Sequence, residues 1–366
     1  MSELDVKIPA AEAGSYTIHI GSGTLGGVLA EAGKLCAGKR QFVVTDSNIV
    51  EAGHLGTLLR DRDTAMYVID PPGEENKTVD TAIAIIETME KAFYGRDSVI
   101  IALGGGTVGD IAGFAAAIYK RGIDVVQIPT TTVSQADSSV GGKTGVDSSV
   151  SKNAFGAFWQ PRAVFIDVDT LMTLDDRQYR AGLIESVKHA LICDAKYFEL
   201  FENEMDAILA KDRDVLEKIA FTNCSIKASV VEEDPTEKNR RRVLNYGHTI
   251  GHAVETASKF ELLHGEAVAI GIIGAGLIEK QMGLAADGQL ERIEKVLEKL
   301  AVPTRIPESI DKSGLVDIIK RDKKAVNKWP KFVLLDEIGS ARCVDGQWAL
   351  DVSEGIVNNV LETLYG

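Results

Sequence analysis

The stretch VIIALGGGTVGD, Val99 to Asp110, joins a five-residue apolar run to three consecutive glycines. A short apolar run that ends in a glycine turn reads as a strand buried on both faces, the kind found in a parallel sheet. The residues after it, Val108–Ala117, carry a helical pattern. Glycines at such a turn let the backbone approach a diphosphate closely, and the helix N-terminus offers unpaired N–H groups and a favourable dipole. The spacing is not GxGxxG, so the usual dinucleotide fingerprint is missing and a purely structural tight turn competes with the binding reading.

Similar runs lie on either side. Tyr16–Ile20, Gln41–Thr45, Met66–Ile69, Val125–Ile128 and Val164–Ile166 are short and rich in Val and Ile, with helical patterns such as Val79–Ala92 between them. This alternation predicts an α/β, Rossmann-like N-terminal domain over residues 1–175 with a mostly parallel sheet. Ligands in such sheets bind beyond the carboxyl ends of the strands. Those ends are Asp46–Ser47, Pro71–Glu74, Gly104–Gly106 and Pro129–Thr132. Asp46 is placed to accept from a ribose hydroxyl and to repel a 2′-phosphate, which favours NAD over NADP. From about Thr173 long helical patterns take over: Tyr179–Leu191, Ala195–Leu209, Val215–Val231, Thr249–Ser258, Gly265–Met282 and Gln289–Leu300. They predict a mainly α-helical domain over residues 176–366, with short strands near Phe332–Leu335 and Ala341–Val344 and a last helix, Val352–Tyr365.

Composition narrows the partners. The 366 residues suit about two domains, and 45% hydrophobic with 26% charged content is ordinary for a globular chain. A net charge of −14 argues against nucleic-acid and anionic-membrane partners, although a local basic pocket can still take an anionic small molecule. No apolar run is long enough to span a bilayer, and Met1–Ala10 has no signal-peptide pattern. Cys36, Cys193, Cys224 and Cys343 are widely separated, as expected of reduced thiols in a cytoplasmic protein.

Two polar stretches carry the candidate chemistry. Pro129–Asn153, PTTTVSQADSSVGGKTGVDSSVSKN, is dense in hydroxyls and holds Lys143 and Lys152 beside glycines. It reads as a loop at the ligand edge that wraps an anion, against the alternative of a solvated surface loop. Three of the six histidines fall between Asn245 and Glu266. His248 and His252, four apart, share a helix face, and His264 opens the next helix. With Glu185 they offer the nitrogen and oxygen donors of a catalytic zinc site. Spacing alone does not say which three bind, and the i,i+4 pair is the simplest choice. Lys227, Arg240, Arg241 and Arg242 lie just upstream and suit a phosphate or carboxylate substrate; Lys323 and Lys324 can add charge from the C-terminal side.

Taken in order, GGGTVGDIAGF, PTTTVSQADSSVGGKTGV, KNAFGAFWQP, GLIESVKHA, LNYGHTIGHAVE and LHGEAVAIG resemble the 3-dehydroquinate synthase family of sugar-phosphate cyclases. The resemblance runs from about Asp46 to Lys324. It implies an NAD- and zinc-dependent (or cobalt-dependent) lyase of the shikimate pathway, working as a homodimer. The implied substrate is a small phosphorylated sugar acid, 3-deoxy-D-arabino-heptulosonate 7-phosphate. Transient oxidation, β-elimination of phosphate, re-reduction and an internal aldol closure would give 3-dehydroquinate. Carried over by motif, the metal ligands are Glu185, His248 and His264, which moves His252 from metal to substrate. Lys188, His252, Asn245, Lys143 and Asp137 are implied as catalytic, and Arg121, Asn153, Lys227, Arg241, Lys323 and Lys324 as substrate-binding. NAD would meet Asp46, Asn48, Glu74, Lys77, Gly105, Gly106, Thr107, Val108, Gly109, Asp110, Thr130, Thr131, Lys143, Lys152, Thr170, Leu171, Met172 and Thr173. Ser151 and Asp147 depart from the residues commoner in the family. Rivals are the 2-epi-5-epi-valiolone and 2-deoxy-scyllo-inosose synthases, whose substrates lack the carboxylate, and polyol dehydrogenases, which would accumulate NADH.

Overall fold

A computed structural model describes residues 15–60, 62–259, 261–320 and 329–365. Lys323 and Lys324 lie outside the described residues.

Six strands form one parallel sheet: β1 (Thr17–Gly21), β2 (Arg40–Asp46), β3 (Met66–Ile69), β4 (Ser98–Gly104), β5 (Asp124–Pro129) and β8 (Ala163–Asp167). Their spatial order is β1-β8-β5-β4-β2-β3. The six predicted runs sit inside these strands to within a residue or two. Alternate residues feed opposite faces, as the period of two demands. Phe42, Val44, Ile100 and Ala102 pack under α1 (Val79–Lys91) and α2 (Gly106–Ile118). Val43, Val99, Ile101 and Leu103 pack with Val28, Leu29 and Ala32 from a helix on the other face. All of β4 is therefore buried, which is why its sequence is a continuous apolar run. The chain leaves β2 for β3 on one side and returns to β4 on the other. This reversal opens a crevice between the carboxyl ends of β2 and β4, where Asp46 and the three glycines stand.

The polar stretch after β5 is not the open loop expected from its composition. Ser134–Ser138 forms a π-turn, and Lys143–Val146 (β6) pairs antiparallel with Phe155–Phe158 (β7). Gln135 locks the π-turn to the sheet edge: its side-chain amide donates to the Pro129 and Asp167 carbonyls and to Thr170 Oγ1, at 3.1–3.2 Å.

From Asp176 the chain is mainly helical. The helices that carry the site are α3 (Asp176–Cys193), α4 (Arg213–Glu233), α5 (His248–Ala257) and α6 (His264–Gln281). The predicted Ala195–Leu209 helix is two, Ala195–Asn203 and Met205–Leu209, and the predicted strands near residue 340 shrink to β9 (Leu335–Glu337) and β10 (Ser340–Ala341). A helix the patterning missed runs Lys312–Lys320.

The helices meet at glycines. A Cβ on Gly265 would lie 1.8 Å from the Ala181 carbonyl, and one on Gly271 would lie 1.9 Å from the Gly247 carbonyl. These contacts need bare backbone; the first brings the start of α6 against α3, and the second brings the start of α5 against α6.

Farther along α6, Glu279 is fully buried and ties distant segments together. It accepts from Leu335 N at 2.8 Å and from the Gln289 amide at 3.2 Å. Burial outweighs these hydrogen bonds and pushes its carboxyl up to about 8. A carboxyl whose folded pKa exceeds its unfolded one stabilises the fold fully below the unfolded value and loses that contribution as pH rises through the folded value. Wild-type stability should thus fall between about pH 5 and pH 8, by roughly 1.4 kcal/mol per pH unit from this group. Glu279→Gln stays neutral and should flatten the slope. Thermal unfolding of both proteins at pH 5, 7 and 9 tests this; an equal slope in both would mean that Glu279 is already ionised in the fold.

Candidate active site and metal centre

Three histidines and one glutamate converge where α3, α5 and α6 meet. One ring nitrogen each of His248, His252 and His264 lies within 4.8 Å of the others. Glu185, on α3, is fully buried, and its Oε1 stands 3.6 Å from both His248 Nε2 and His264 Nε2. That oxygen accepts no hydrogen bond, while Oε2 accepts from the equally buried Lys188 ammonium. A buried carboxylate oxygen without a donor is costly, and here it points between two imidazole nitrogens.

The other ring nitrogens are already engaged. His248 Nδ1 donates to the Tyr246 carbonyl at 2.9 Å, and His264 Nδ1 faces Glu255 Oε2 at 3.2 Å. Each contact favours the tautomer with its proton on Nδ1 and leaves Nε2 free for a cation, the usual support of a metal-bound histidine. The donor set therefore fits a divalent metal. Its electrostatics agree. Burial alone would raise the Glu185 carboxyl, but Lys188, His248 and His264 hold it well below the ordinary range. Burial and then Lys188 press His248 down, so its imidazole is neutral. Burial would also lower His264, yet Glu185 and Glu255 lift it to about 10, so without a metal its ring is an imidazolium and a bound metal takes the place of the Nε2 proton.

Behind this centre lie two buried cations, Lys227 and Arg241, with the exposed Lys143 beside them. Lys227, on α4, pairs with Asp137 Oδ1 at 2.6 Å and also donates to the Asp137 carbonyl. Burial would raise Asp137, but Lys227 and Lys188 hold it below the ordinary carboxylate range. Arg241 is only 1% exposed; its guanidinium donates to the Pro235 carbonyl at 2.8 Å and the Gly141 carbonyl at 3.2 Å. Its Nε is buried without a partner. Lys143, at the start of β6, pairs with Glu237, which also accepts from Asn245 Nδ2 at 2.9 Å. Asn153 follows the turn closed by Asp147, whose carboxylate accepts the Asn153 amide at 2.6 Å. Asp147 thus shapes that turn.

Facing the metal centre is the sheet edge. Asp46 caps the short helix Ser47–Glu51 by accepting from Ile49 N at 3.0 Å, with exposed Asn48 in that first turn; burial raises the Asp46 carboxyl. Glu74 accepts from Thr107 Oγ1 at 3.0 Å, and Lys77 pairs with Asp110 at 2.7 Å. Burial pushes Asp110 up to about 6 despite Lys77. Gly105 and Gly106 begin α2 with Val108 and Gly109 in its first turn; Thr130 and Thr131 follow β5, and Thr170–Thr173 lie in a 3-10 turn after β8. Leu171 and Met172 belong to that same turn. Lys152 spans the gap, 3.4 Å from Glu74 and 3.0 Å from Glu255.

Two expectations meet a different placement. Arg121 follows α2 and precedes β5, at the amino-terminal edge of the sheet, so one chain does not bring it to this cleft. Arg240 pairs with Glu233 at 2.9 Å and stacks over Trp348, away from Arg241. The residue that sequence reasoning missed is Glu255. Its signal was present: His248, His252 and Glu255 fall at i, i+4 and i+7, one face of a helix.

Comparisons with known proteins agree with this architecture. The profile of the 3-dehydroquinate synthase N-terminal region matches residues 67–181, and that of the C-terminal region matches residues 182–325. A 3-dehydroquinate synthase of Geobacter metallireducens is 46% identical over 89% of this chain and 91% of its own length. That of Ruminiclostridium cellulolyticum is 49% identical over 73% of this chain and 74% of its own. Among solved structures, the 2-epi-5-epi-valiolone synthase of Streptomyces hygroscopicus subsp. jinggangensis, with NAD+ and Zn2+ bound, superposes at a TM-score of 0.86 and 27% identity, covering 98% of this chain and 99% of that one. A 2-deoxy-scyllo-inosose synthase complexed with carbaglucose-6-phosphate, NAD+ and Co2+ gives 0.82 and 29%, covering 94% and 96%. A probable glycerol dehydrogenase of Sinorhizobium meliloti shares the fold alone, at 0.68 and 14%, covering 95% and 96%. With both halves matched in order and relatives this similar over most of its length, the chain belongs to the 3-dehydroquinate synthase family.

Proposed function

We propose that this protein converts 3-deoxy-D-arabino-heptulosonate 7-phosphate to 3-dehydroquinate and phosphate, with NAD and a zinc or cobalt ion, as a cytoplasmic homodimer. The observation that carries the reading is the unpartnered Glu185 Oε1 set 3.6 Å from two imidazole nitrogens whose opposite nitrogens are already engaged. Glu185, His248 and His264 hold the metal; His252, more open than His248 to the cleft, is left to the substrate. The sheet edge from Asp46 to Thr173 holds the dinucleotide. When bound, NAD supplies a hydride acceptor that later returns the hydride, and the metal supplies a Lewis acid for substrate oxygens.

The chain's own residues do the rest. Lys143, Lys188, Lys227 and Arg241 present cations to a substrate that carries both phosphate and carboxylate, and Asn153 and Asn245 orient it. Lys188 and Lys227 are buried against Glu185 and Asp137, which fixes their ammonium groups before substrate arrives. His252 moves a proton or contacts the leaving phosphate. Asp137 positions Lys227.

The test uses purified protein with the heptulosonate phosphate, a divalent metal and substoichiometric NAD+, following phosphate release and absorbance at the NADH band. Phosphate released in excess of NAD+, with no lasting NADH, is the expected result. Stoichiometric NADH would overturn it in favour of a polyol dehydrogenase. Phosphate released only from sedoheptulose 7-phosphate or glucose 6-phosphate would overturn it in favour of a sister cyclase.

A further inference from the structure

Glu255 stands between the two halves of the cleft, and neither the metal set nor the dinucleotide edge claims it. It lies on α5, 8% exposed, one helical turn past His252. One carboxylate oxygen meets His264 Nδ1 at 3.2 Å, and the other meets Lys152 Nζ at 3.0 Å. Lys152 in turn lies 3.4 Å from Glu74, which accepts from Thr107 at the first turn of α2. A continuous chain of charges therefore runs from the glycine-turn helix through Glu74, Lys152 and Glu255 to His264 and Glu185.

We propose that Glu255 is a positioning residue for His264 and that, through Lys152, it makes metal affinity depend on whether the dinucleotide edge is filled. The inference rests on the assignment of His264 and Glu185 to the metal. A carboxylate that accepts the Nδ1 proton fixes the ring and raises the basicity of Nε2, and removing such a group typically weakens metal binding about 10–100-fold. Lys152 competes with His264 for the same carboxylate. A diphosphate at the sheet edge offers Lys152 a second anion and draws its ammonium away from Glu255. Glu255 is then the stronger acceptor for His264, and the metal binds more tightly. By linkage the metal must tighten the dinucleotide by the same factor.

The test is Zn2+ affinity of the full-length apoprotein, measured by competition with a chromogenic chelator, with and without saturating NAD+. Glu255→Gln, close in shape, should bind Zn2+ about 10–100-fold more weakly, and Glu255→Asp should recover part of the loss. NAD+ should tighten Zn2+ on the wild type by about fivefold or more, and Lys152→Ala should abolish that effect even when saturated with NAD+. A Glu255→Gln protein within twofold of wild type, or a wild type whose Zn2+ affinity ignores NAD+, would overturn the proposal. Glu185→Ala in parallel separates the two ideas. If it loses Zn2+ while Glu255→Gln does not, only this inference fails. If it keeps Zn2+, the ligand assignment itself fails. Thermal melting of each apoprotein distinguishes unfolding from lost affinity, and the NAD+ arm needs no Glu255 variant.

Discussion

Glu185→Ala is expected to weaken zinc binding by roughly 10²–10³-fold and to abolish phosphate release at ordinary metal concentrations. The magnitude follows from treating one ligand as about a quarter of the ~10–16 kcal/mol that a four-ligand structural zinc site releases, or about 2.5–4 kcal/mol. A second effect adds to the first. Glu185 Oε2 is the partner of Lys188, which is only 1% exposed, and truncation leaves that ammonium buried without its counter-charge. Breaking a buried pair from one side typically costs about 3–5 kcal/mol. The variant should therefore melt several degrees lower even without metal. Glu185→Gln separates the contributions: it keeps the volume and a neutral oxygen but loses the charge, so it should pack better than alanine and still bind zinc poorly. Metal content after gel filtration, chelator competition and apoprotein melting curves check the three parts. Wild-type zinc affinity in Glu185→Ala would return the site to the three histidines.

That alternative was the one helix spacing suggested, and the way it yields shows what was legible in the sequence. Periodicity places His248 and His252 on one face of α5, and it is right about the face. It carries no information about Glu185, which is 63 residues earlier than His248. The two are joined by tertiary packing at Gly265 against Ala181 and at Gly271 against Gly247, contacts that leave no periodic trace. The sheet was legible because burial on both faces forces uninterrupted Val and Ile runs. The β6–β7 hairpin was not, because its strands hold glycines, Lys143 and half-exposed phenylalanines in place of an alternating pattern. Arg121 illustrates the remaining gap. A motif can name a residue, but only the topology shows that it sits at the opposite edge of the sheet from the glycine turn.

His252→Ala is the complementary case: zinc affinity should stay within about threefold of wild type while turnover falls by about 10²–10⁴-fold, the usual worth of a positioned acid or base. The His252 ring lies 5.0 Å from the His248 ring and 5.7 Å from the His264 ring, close enough to share their ligand. Yet His248 and His264 each face the unpartnered Glu185 oxygen, whereas His252 is on the open side of the cluster, where substrate must enter. Added imidazole should restore part of the rate of the alanine variant without changing its metal content. His252→Gln, which can donate a hydrogen bond but cannot carry a proton, distinguishes the two roles left open for this side chain. Recovery of most of the turnover in His252→Gln would make it a phosphate contact, and no recovery would make it the proton carrier. Loss of zinc from His252→Ala comparable to that from Glu185→Ala would remove the distinction between metal ligand and substrate residue on which the proposed chemistry rests.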